Sequence, residues 1–511
     1  MTDSTGITNP VALDDLLEDD VPVDVDHEAT PRQRRSPRQW QARAGKKAAR
    51  WWYRRLRSRR MKRRLARLMW DAPTTMPTFT STRQAAALDP LLTNTRVPTF
   101  GHLYGTDLLT HQPLTGSVQA LYDAGFITAP MVAIIGGIGT WKSSTVKSFY
   151  GDRALATGTR VAVFDRKIQR EGEALGGEYT RLARVFADDA QVVALHRDRA
   201  IGTRINILDP AISPETSETG VGQDELLRMV AVAAMGRELT PEEGYALAAA
   251  HRAAIVEAQA QGRVAILPDV IRALYVPDEP SIPGPRTDAK PVLSERGVVD
   301  EARVTEWGLP VALGFERFMK GDLSGIIDGE TAGPDGQSVD LMAQLLVIDT
   351  SALPEGSEAL ALMMAIISTY LMSRWAKVPG FKYLVLEEAY SADNLGAVPK
   401  IIRALVKRSR GVGAAVIAVF HHISDVTPGS ALYSLIKEAG IIHIFQQDKS
   451  EDAAEAVAMF DLPADMVDTI QTLAPGMNVW KRGRLPATIA RAFRTPLEAW
   501  ITDTDEAMRR S

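Results

Sequence analysis

The chain of 511 residues contains no cysteine. That excludes disulfides, thiolate nucleophiles, thiolate zinc sites and iron–sulfur clusters together. Histidine is scarce, with 8 spread along the chain and none in a tight ligand spacing, so a histidine-built zinc site is not expected either. No apolar run reaches the roughly 18 residues that a membrane span needs. The longest candidate, Ala359 to Met372, has the length of a buried helix. The acidic start, MTDSTGITNPVALDDLLEDD, lacks the apolar core of a secretory signal. What is present is ordinary for a globular protein, 45% hydrophobic and 24% charged residues. The length suggests about three units with cores of their own.

A net charge of −4 conceals three unlike pieces. Residues 1–30 hold nine acids and no Lys or Arg, residues 31–70 hold 17 Lys or Arg and no acid, and the remainder carries 42 basic and 54 acidic residues. Residues 1–30 cannot bury enough surface to offset ordering entropy, so the composition predicts disorder. From about Gln39 the basic piece favours a helix in which Trp51, Trp52, Tyr53, Leu56, Met61, Leu65, Leu68 and Trp70 interleave with arginines. Three uses compete for this arm: an interfacial helix on an anionic membrane, a nucleic-acid arm, and a solvated helix docking on an acidic partner.

The chemistry-bearing pattern begins at Pro130-Met-Val-Ala-Ile-Ile135, a continuous apolar run expected of a strand covered on both faces. It runs into Gly136-Gly-Ile-Gly-Thr-Trp-Lys142-Ser143-Ser144 and then a helical stretch to Ala156. Strand, glycine-rich loop, Lys-Ser and helix make a phosphate-binding loop. The predicted cradle is Gly136, Gly137, Gly139, Thr140, Trp141, Lys142, Ser143 and Ser144. Glycines let backbone N–H groups curl around phosphates, and the helix N-terminus adds partial positive charge. Lys142 would bridge the outer phosphates of ATP, and the Ser143 hydroxyl would coordinate Mg²⁺. Trp141 stands where GxxxxGK[ST] has its second glycine, so its ring must point outward or stack on a bound group.

Further on, Leu384-Val-Leu-Glu387-Glu388 reads as a buried strand ending in two acids. In a P-loop enzyme the first holds Mg²⁺, here Glu387, and the second polarises the attacking water, here Glu388. A helix from about Ala397 to Arg408 follows, then Ala414 to Phe420, a second buried strand ending in His421-His422. Ligands of open parallel sheets sit at that edge, which makes His421 the candidate sensor of the terminal phosphate. Arg403, Lys407, Arg408 and Arg410 form a basic stripe suited either to an arginine finger for a neighbouring subunit or to a solvated helix face.

With these motifs in order, roughly residues 95–505 resemble the conjugative-transfer ATPases of type IV secretion (VirB/TraC-like, within the HerA/FtsK superfamily), and the short form of actinobacterial mobile elements most of all. The resemblance rests also on Tyr104-Gly-Thr-Asp107, Ala124-Gly-Phe126, Val161-Ala-Val-Phe-Asp165-Arg-Lys167, Gly177-Glu-Tyr179, Arg204-Ile-Asn206 to Pro210, Leu345 to Ser351, Gln446-Gln447, Leu473-Ala-Pro-Gly476 and Thr502-Asp503. It implies an α/β RecA-like P-loop NTPase with a mostly parallel sheet, catalytic Glu388, Arg410 acting in trans, and His421 where the family has Gln. Trp141 for Gly, Glu387 for Asp and Phe420-His421 for Thr-Gln depart from the family pattern and bear on turnover more than on fold.

The expected organisation is an acidic tail (1–30), a basic arm (31–70), a first part of the ATPase core (71–210), an all-helical insertion (211–335) and a second part of the core (336–511). The insertion is read from helical stretches Asp224–Met235, Thr240–Gln261, Leu267–Tyr275 and Val299–Met319, with a proline-rich link from Pro277 to Pro291. The expected protein is a cytoplasmic ATPase, peripheral at the inner face of the membrane. It would form a homo-oligomeric ring, bind ATP and Mg²⁺, and work with type IV secretion membrane components. A nucleotide-binding scaffold with little hydrolysis and a DNA translocase or coupling protein are the alternatives.

Overall fold

The apolar runs read above become the strands of one large sheet. The structure is a computed structural model that describes residues 100–171, 174–210, 223–276, 293–294, 297–298, 301–354, 356–387 and 409–503. The acidic tail, the basic arm, Glu388, the predicted helix 397–408 with Arg403, Lys407 and Arg408, and the proline-rich link lie outside the described residues.

Eleven strands build the sheet. In chain order they are β1 (His102–Asp107), β2 (Pro113–Gly116), β3 (Met131–Ile135), β4 (Arg160–Asp165), β5 (Ala190–Ala194), β6 (Leu345–Asp349), β7 (Lys382–Leu386), β8 (Ala414–Phe420), β9 (Ile441–Ile444), β10 (Met477–Arg482) and β11 (Thr488–Ala492). Their spatial order is β2-β1-β11-β10-β9-β3-β8-β7-β4-β6-β5. From β9 to β5 every pairing is parallel, whereas β10, β11, β1 and β2 add an antiparallel flank. The sheet is therefore mostly parallel, as expected, whereas the antiparallel pairing of the flank has no counterpart in the sequence reading.

Side-chain alternation divides the core into two layers. In β3, Met131, Ala133 and Ile135 face one layer and Val132 and Ile134 the other; β8 sends Val416, Ala418 and Phe420 to the first and Ile417 and Val419 to the second. The first layer is covered by helices. These include α2 (Gln223–Met235), α3 (Pro241–Ala260), α4 (Leu267–Tyr275), α5 (Glu301–Lys320) and α6 (Glu358–Trp375). The second is covered by α1, the helix after the glycine-rich loop, which runs as Lys142–Thr145, a π-helical segment Val146–Asp152, and Arg153–Ala156.

Helices α2 to α5 stand within one or two residues of the stretches read from sequence. Their boundaries follow local chemistry. At the start of α3 the Thr240 hydroxyl accepts from Glu243 N at 3.2 Å, the Glu243 carboxylate accepts from Thr240 N at 2.9 Å, and Pro241 opens the first turn. Such a reciprocal cap contributes about 1 kcal/mol. Arg237 then grips both oxygens of Glu243, at 2.8 and 2.6 Å. Helix α6 is apolar all round and buried, the expected fate of such a helix. A short hairpin, Leu293–Ser294 with Gly297–Val298, lies between α4 and α5 along the chain. Core and helices together belong to one compact unit from Pro90 onward. Among the described residues no helix is long and apolar enough to cross a membrane.

Where the antiparallel flank meets α1, a polar chain crosses the second core layer. Tyr150 Oη lies 2.8 Å from His443 Nε2, His443 Nδ1 lies 3.2 Å from Asn478 Oδ1, and the Asn478 amide donates to Tyr104 Oη. Trp480 stacks on the His443 ring at 5.4 Å. Burial pushes the pKa of His443 down to about 3, so the folded protein keeps it neutral where an unfolded chain takes up a proton. Its contribution is whole above the unfolded value near 6.5 and is lost as pH falls toward the folded value, at up to about 1.4 kcal/mol per pH unit. Thermal melts between pH 7 and pH 4 should show His443→Gln with a shallower loss than wild type; parallel curves would show that His443 does not drive the acid sensitivity.

Candidate functional site

In a parallel sheet all C-terminal strand ends share one rim. Register sets Ile135 of β3 beside Phe420 of β8, and Leu386 of β7 beside Ala418 of β8 and Phe164 of β4. The glycine-rich loop, His421, Glu387 and the segment after Asp165 therefore leave the sheet side by side.

The loop is braced before any ligand arrives. Gly137 N donates to Gln446 O at 2.9 Å, and the Thr140 hydroxyl donates back to Gly137 O at 2.8 Å. Gly139 adopts φ +77°. Lys142 folds inward, its ammonium donating to the carbonyls of Gly136 and Gly137, the latter at 2.6 Å, and lying 3.2 Å from His421 Nδ1. Burial, then the nearby Lys167, lowers the Lys142 pKa to about 8. Burial together with Lys142 and Lys167 lowers His421 to about 4, so its ring is neutral at pH 7. Because Nδ1 accepts from an ammonium, the ring proton sits on Nε2. Gln447 steadies this corner: its amide donates to His421 O at 3.2 Å, and its Oε1 accepts from His422 Nδ1 at 2.9 Å.

Trp141 takes the left-handed conformation, φ +82°, that its loop position demands. For a bulky side chain this costs on the order of 1–3 kcal/mol. The indole packs toward the antiparallel flank. The Arg494 guanidinium carbon lies 3.3 Å from the ring centroid, and a Cβ on Gly476 would fall 2.8 Å from Trp141 Cε3. Gly476 itself has φ +83°. Arg494 is held by Thr502 Oγ1 at 2.7 Å. The half-buried ring thus points outward, and the loop keeps its shape through contacts made far along the chain.

Ser143 Oγ lies 3.4 Å from Glu387 Oε2, and Glu387 Oε1 accepts from Tyr179 Oη at 2.6 Å. Burial, then the neighbouring Glu178, raises the Glu387 pKa. Glu178 pairs with the fully buried Lys147 at 3.0 Å. Burial acts to raise Glu178, but Lys147 and Lys167 outweigh it and the net shift is downward. Burial pushes Asp165 up to about 8, and its carboxylate accepts from Tyr179 N at 3.0 Å. Gly177 is required beside it, since a Cβ there would lie 2.2 Å from Asp165 Oδ2. With Asp165 protonated, the ammoniums of Lys142, Lys147 and Lys167 face the carboxylates of Glu178 and Glu387.

Ser143 and Glu387 are the described residues whose oxygens could hold a divalent cation, at a place where the Lys167 ammonium stands 3.4 and 3.6 Å from them. Their oxygens stand 3.4 Å apart, close to the roughly 3 Å between neighbouring oxygens of an octahedron with ~2.1 Å bonds. Glu178 Oε2, on a side chain 6% exposed, is buried with no hydrogen-bond partner among the described residues, and so adds an unsatisfied carboxylate oxygen near the same place. Hydroxyl, carboxylate and water are the donor set that suits Mg²⁺.

Similarity to known proteins enters through structure. No protein-family model and no curated protein matches the chain. VirB4 of Thermoanaerobacter pseudethanolicus superposes with a TM-score of 0.56 and 17% identity over 78% of this chain and 98% of that one. The fold is that of a RecA-like P-loop NTPase. The plasmid coupling protein TrwB in complex with the ATP analogue ADPNP aligns at a TM-score of 0.47 and 13% identity, covering 84% of this chain and 98% of that one.

Of the site residues read from sequence, this P-loop fold brings together Gly136, Gly137, Gly139, Thr140, Lys142, Ser143, Ser144, Glu387 and His421, with the Trp141 ring turned to the flank. Glu388 lies outside the described residues. Arg410 is exposed just ahead of β8, at the opposite rim, and the seven-residue strand puts it roughly 20 Å from His421. Within one chain it does not reach the loop. Sequence reasoning missed Lys167, Glu178 and Tyr179 as site residues. The segments carrying them were noticed, but no local spacing says that they meet Glu387, 208 residues from Tyr179.

The Trp141 contacts give a stability test. Gly476→Ala should cost about 1–3 kcal/mol in wild type, from both the positive φ and the encounter with the indole. In a Trp141→Gly background only the φ cost should remain. Chemical denaturation of the four proteins checks this, and an unchanged cost for Gly476→Ala would show that the ring does not press on that glycine.

Proposed function

We propose that the chain is an ATP-binding, ATP-hydrolysing motor of a conjugative DNA-transfer or type IV secretion system. The observation that carries the enzymatic half is the meeting of Ser143 and Glu387 at 3.4 Å beside the Lys142 loop, across the rim of three adjacent strands. The systemic half is supported by the ordered motif resemblance and by the VirB4-like fold over most of the chain.

In this reading the amides of the loop and of the first turn of α1 receive the phosphates. Lys142 exchanges its bonds to the Gly136 and Gly137 carbonyls for the outer phosphate oxygens, which restores its full charge. Ser143 and Glu387 would hold Mg²⁺, which would supply positive charge against the polyphosphate. Glu388 orients the attacking water and takes its proton. Neutral His421, with Nδ1 turned to Lys142, offers Nε2–H to the terminal phosphate and so couples its presence to β8. Arg410 completes the site of a neighbouring copy, which makes the working form a homo-oligomer, a ring in the simplest closed case. The basic arm, residues 31–70, would hold that ring at the secretion complex or at the inner face of the membrane.

A second reading, a nucleotide-ordered scaffold with little turnover, is favoured by one observation. Tyr179 already occupies one oxygen of Glu387 at 2.6 Å, and burial biases that carboxylate toward its neutral, weakly metal-binding form.

Lys142→Ala should abolish binding of a fluorescent ATP analogue while leaving the melting curve cooperative; tight binding by that variant would sink the phosphate-loop assignment. Glu388→Gln should lower steady-state turnover by about 10²-fold or more with nucleotide affinity retained. Equal rates for wild type and Glu388→Gln would select the scaffold.

A further inference from the structure

Glu387 is one methylene longer than an aspartate, so its carboxylate has one more bond to turn about. A second residue fixes it. Tyr179 stands at the foot of a hairpin, Ile168–Glu171 with Ala174–Gly177, that returns the chain to the end of β4. Its backbone is anchored there: Glu178 N donates to Lys167 O at 3.1 Å, and Tyr179 N donates to Asp165 Oδ2 at 3.0 Å. The residue is 1% exposed and its ring lies in the second core layer, with the Lys147 ammonium 5.6 Å from the ring centroid. A ring held this firmly keeps its hydroxyl in one place, and from there Oη donates to Glu387 Oε1 at 2.6 Å. That is the length of a charge-assisted O–H···O⁻ bond. The two carboxylate oxygens are thereby made unequal. Oε1 is engaged inward by the phenol, whereas Oε2 lies 3.4 Å from Ser143 Oγ and 3.6 Å from the Lys167 ammonium.

We propose that Tyr179 is a positioning residue that makes Glu387 a one-oxygen ligand and so selects Mg²⁺ over the larger Ca²⁺ as the ion that accompanies the nucleotide. The argument is one of ligand number. Mg²⁺ keeps a near-ideal octahedron with bonds of roughly 2.0–2.1 Å, a geometry that suits one oxygen from each carboxylate. Ca²⁺ takes about six to eight oxygens at roughly 2.3–2.6 Å and readily accepts both oxygens of one carboxylate. A carboxylate whose inner oxygen is engaged offers one oxygen; a carboxylate free to turn offers two. Burial keeps the arrangement in place, because a phenol or carboxylate oxygen left without a partner at this depth is costly. The Tyr179–Glu387 bond therefore persists when an ion is bound, and the site favours the ion that asks for less.

This inference rests on the nucleotide reading, and the experiment keeps the two apart. Affinity for a fluorescent ATP analogue is measured for wild type and Tyr179→Phe without divalent ion, with Mg²⁺ and with Ca²⁺, each ion in excess over the nucleotide. The quantity compared is the gain in affinity from Mg²⁺ divided by the gain from Ca²⁺. Wild type should gain more from Mg²⁺, and Tyr179→Phe should lower the ratio about fivefold or more, because Glu387 can then turn both oxygens to the ion. A hydroxyl with a purely structural role would weaken both gains together and leave the ratio alone. The charge of the Lys167 ammonium acts on both divalent ions and likewise cancels. An unchanged ratio in Tyr179→Phe overturns the proposal. The wild-type comparison decides even where Tyr179→Phe fails to fold: a wild type that gains no more from Mg²⁺ than from Ca²⁺ overturns the proposal as well. Nucleotide binding that neither ion improves overturns it and leaves the phosphate-loop reading standing, whereas a wild type that binds no nucleotide under any of the three conditions removes that reading and this role together.

Discussion

Charges gathered at a poorly solvated sheet rim must be balanced against one another, and most of what is unusual in this chain follows from that. Glu178 and Glu387 are nearly buried, and each raises the cost of ionising the other. Lys147 answers Glu178 from within the π-helical part of α1, where consecutive residues are buried and a lysine is carried under the helix. Such segments are frequent at functional sites because they redirect side chains that a regular helix would send to solvent. Tyr179 and Lys167 answer Glu387 from the far side of β4. Asp165, next in line, is relieved by taking up a proton, with its pKa pushed to about 8.

The loop shows a second economy. A glycine before the lysine reaches the left-handed region without strain; Trp141 does not, yet it sits there with φ +82°. Its ring recovers the loss by covering Gly476 and stacking under Arg494. Guanidinium–indole stacking is worth about 0.5–2 kcal/mol, comparable with the backbone strain it offsets. The consequence is mechanical. A loop that would otherwise depend only on its flanking strand and helix is tied to the antiparallel flank, 353 residues away in the case of Arg494.

The sequence made legible what short-range chemistry controls. Buried parallel strands announced themselves as unbroken apolar runs at Met131, Leu345, Leu384 and Ala414, and helices α2 to α5 by composition and by the Thr240 cap. Of the twin acids after β7, the first could be placed on the rim because parallel strands end together. Two kinds of feature were not legible. The antiparallel flank is made of short strands with mixed burial, such as the half-exposed Thr488–Ala492, which lack an apolar signature. The electrostatic partners of Glu387 come from a segment more than 200 residues upstream. Only tertiary structure brings it near, and a lysine after a strand gives no sign of whether it faces solvent or a carboxylate.

The position of Arg410 constrains how such molecules can cooperate. Strand β8 carries His421 at one end and Arg410 just before the other. An arginine at the opposite rim does not reach its own loop, and under the proposed role it would serve another copy. In the proposed role, a copy presenting its Arg410 rim to the loop rim of the next would make a contact between two different surfaces, which gives a ring only where the rotation between copies closes. Because His421 and Arg410 flank one rigid strand in a parallel sheet covered on both faces, a displacement of β8 by the terminal phosphate at one end would be transmitted to the arginine at the other. A strand buried on both sides has little freedom to move except along its own length, and in the proposed oligomer the loop of one copy and the arginine offered to the next would lie in series along that direction.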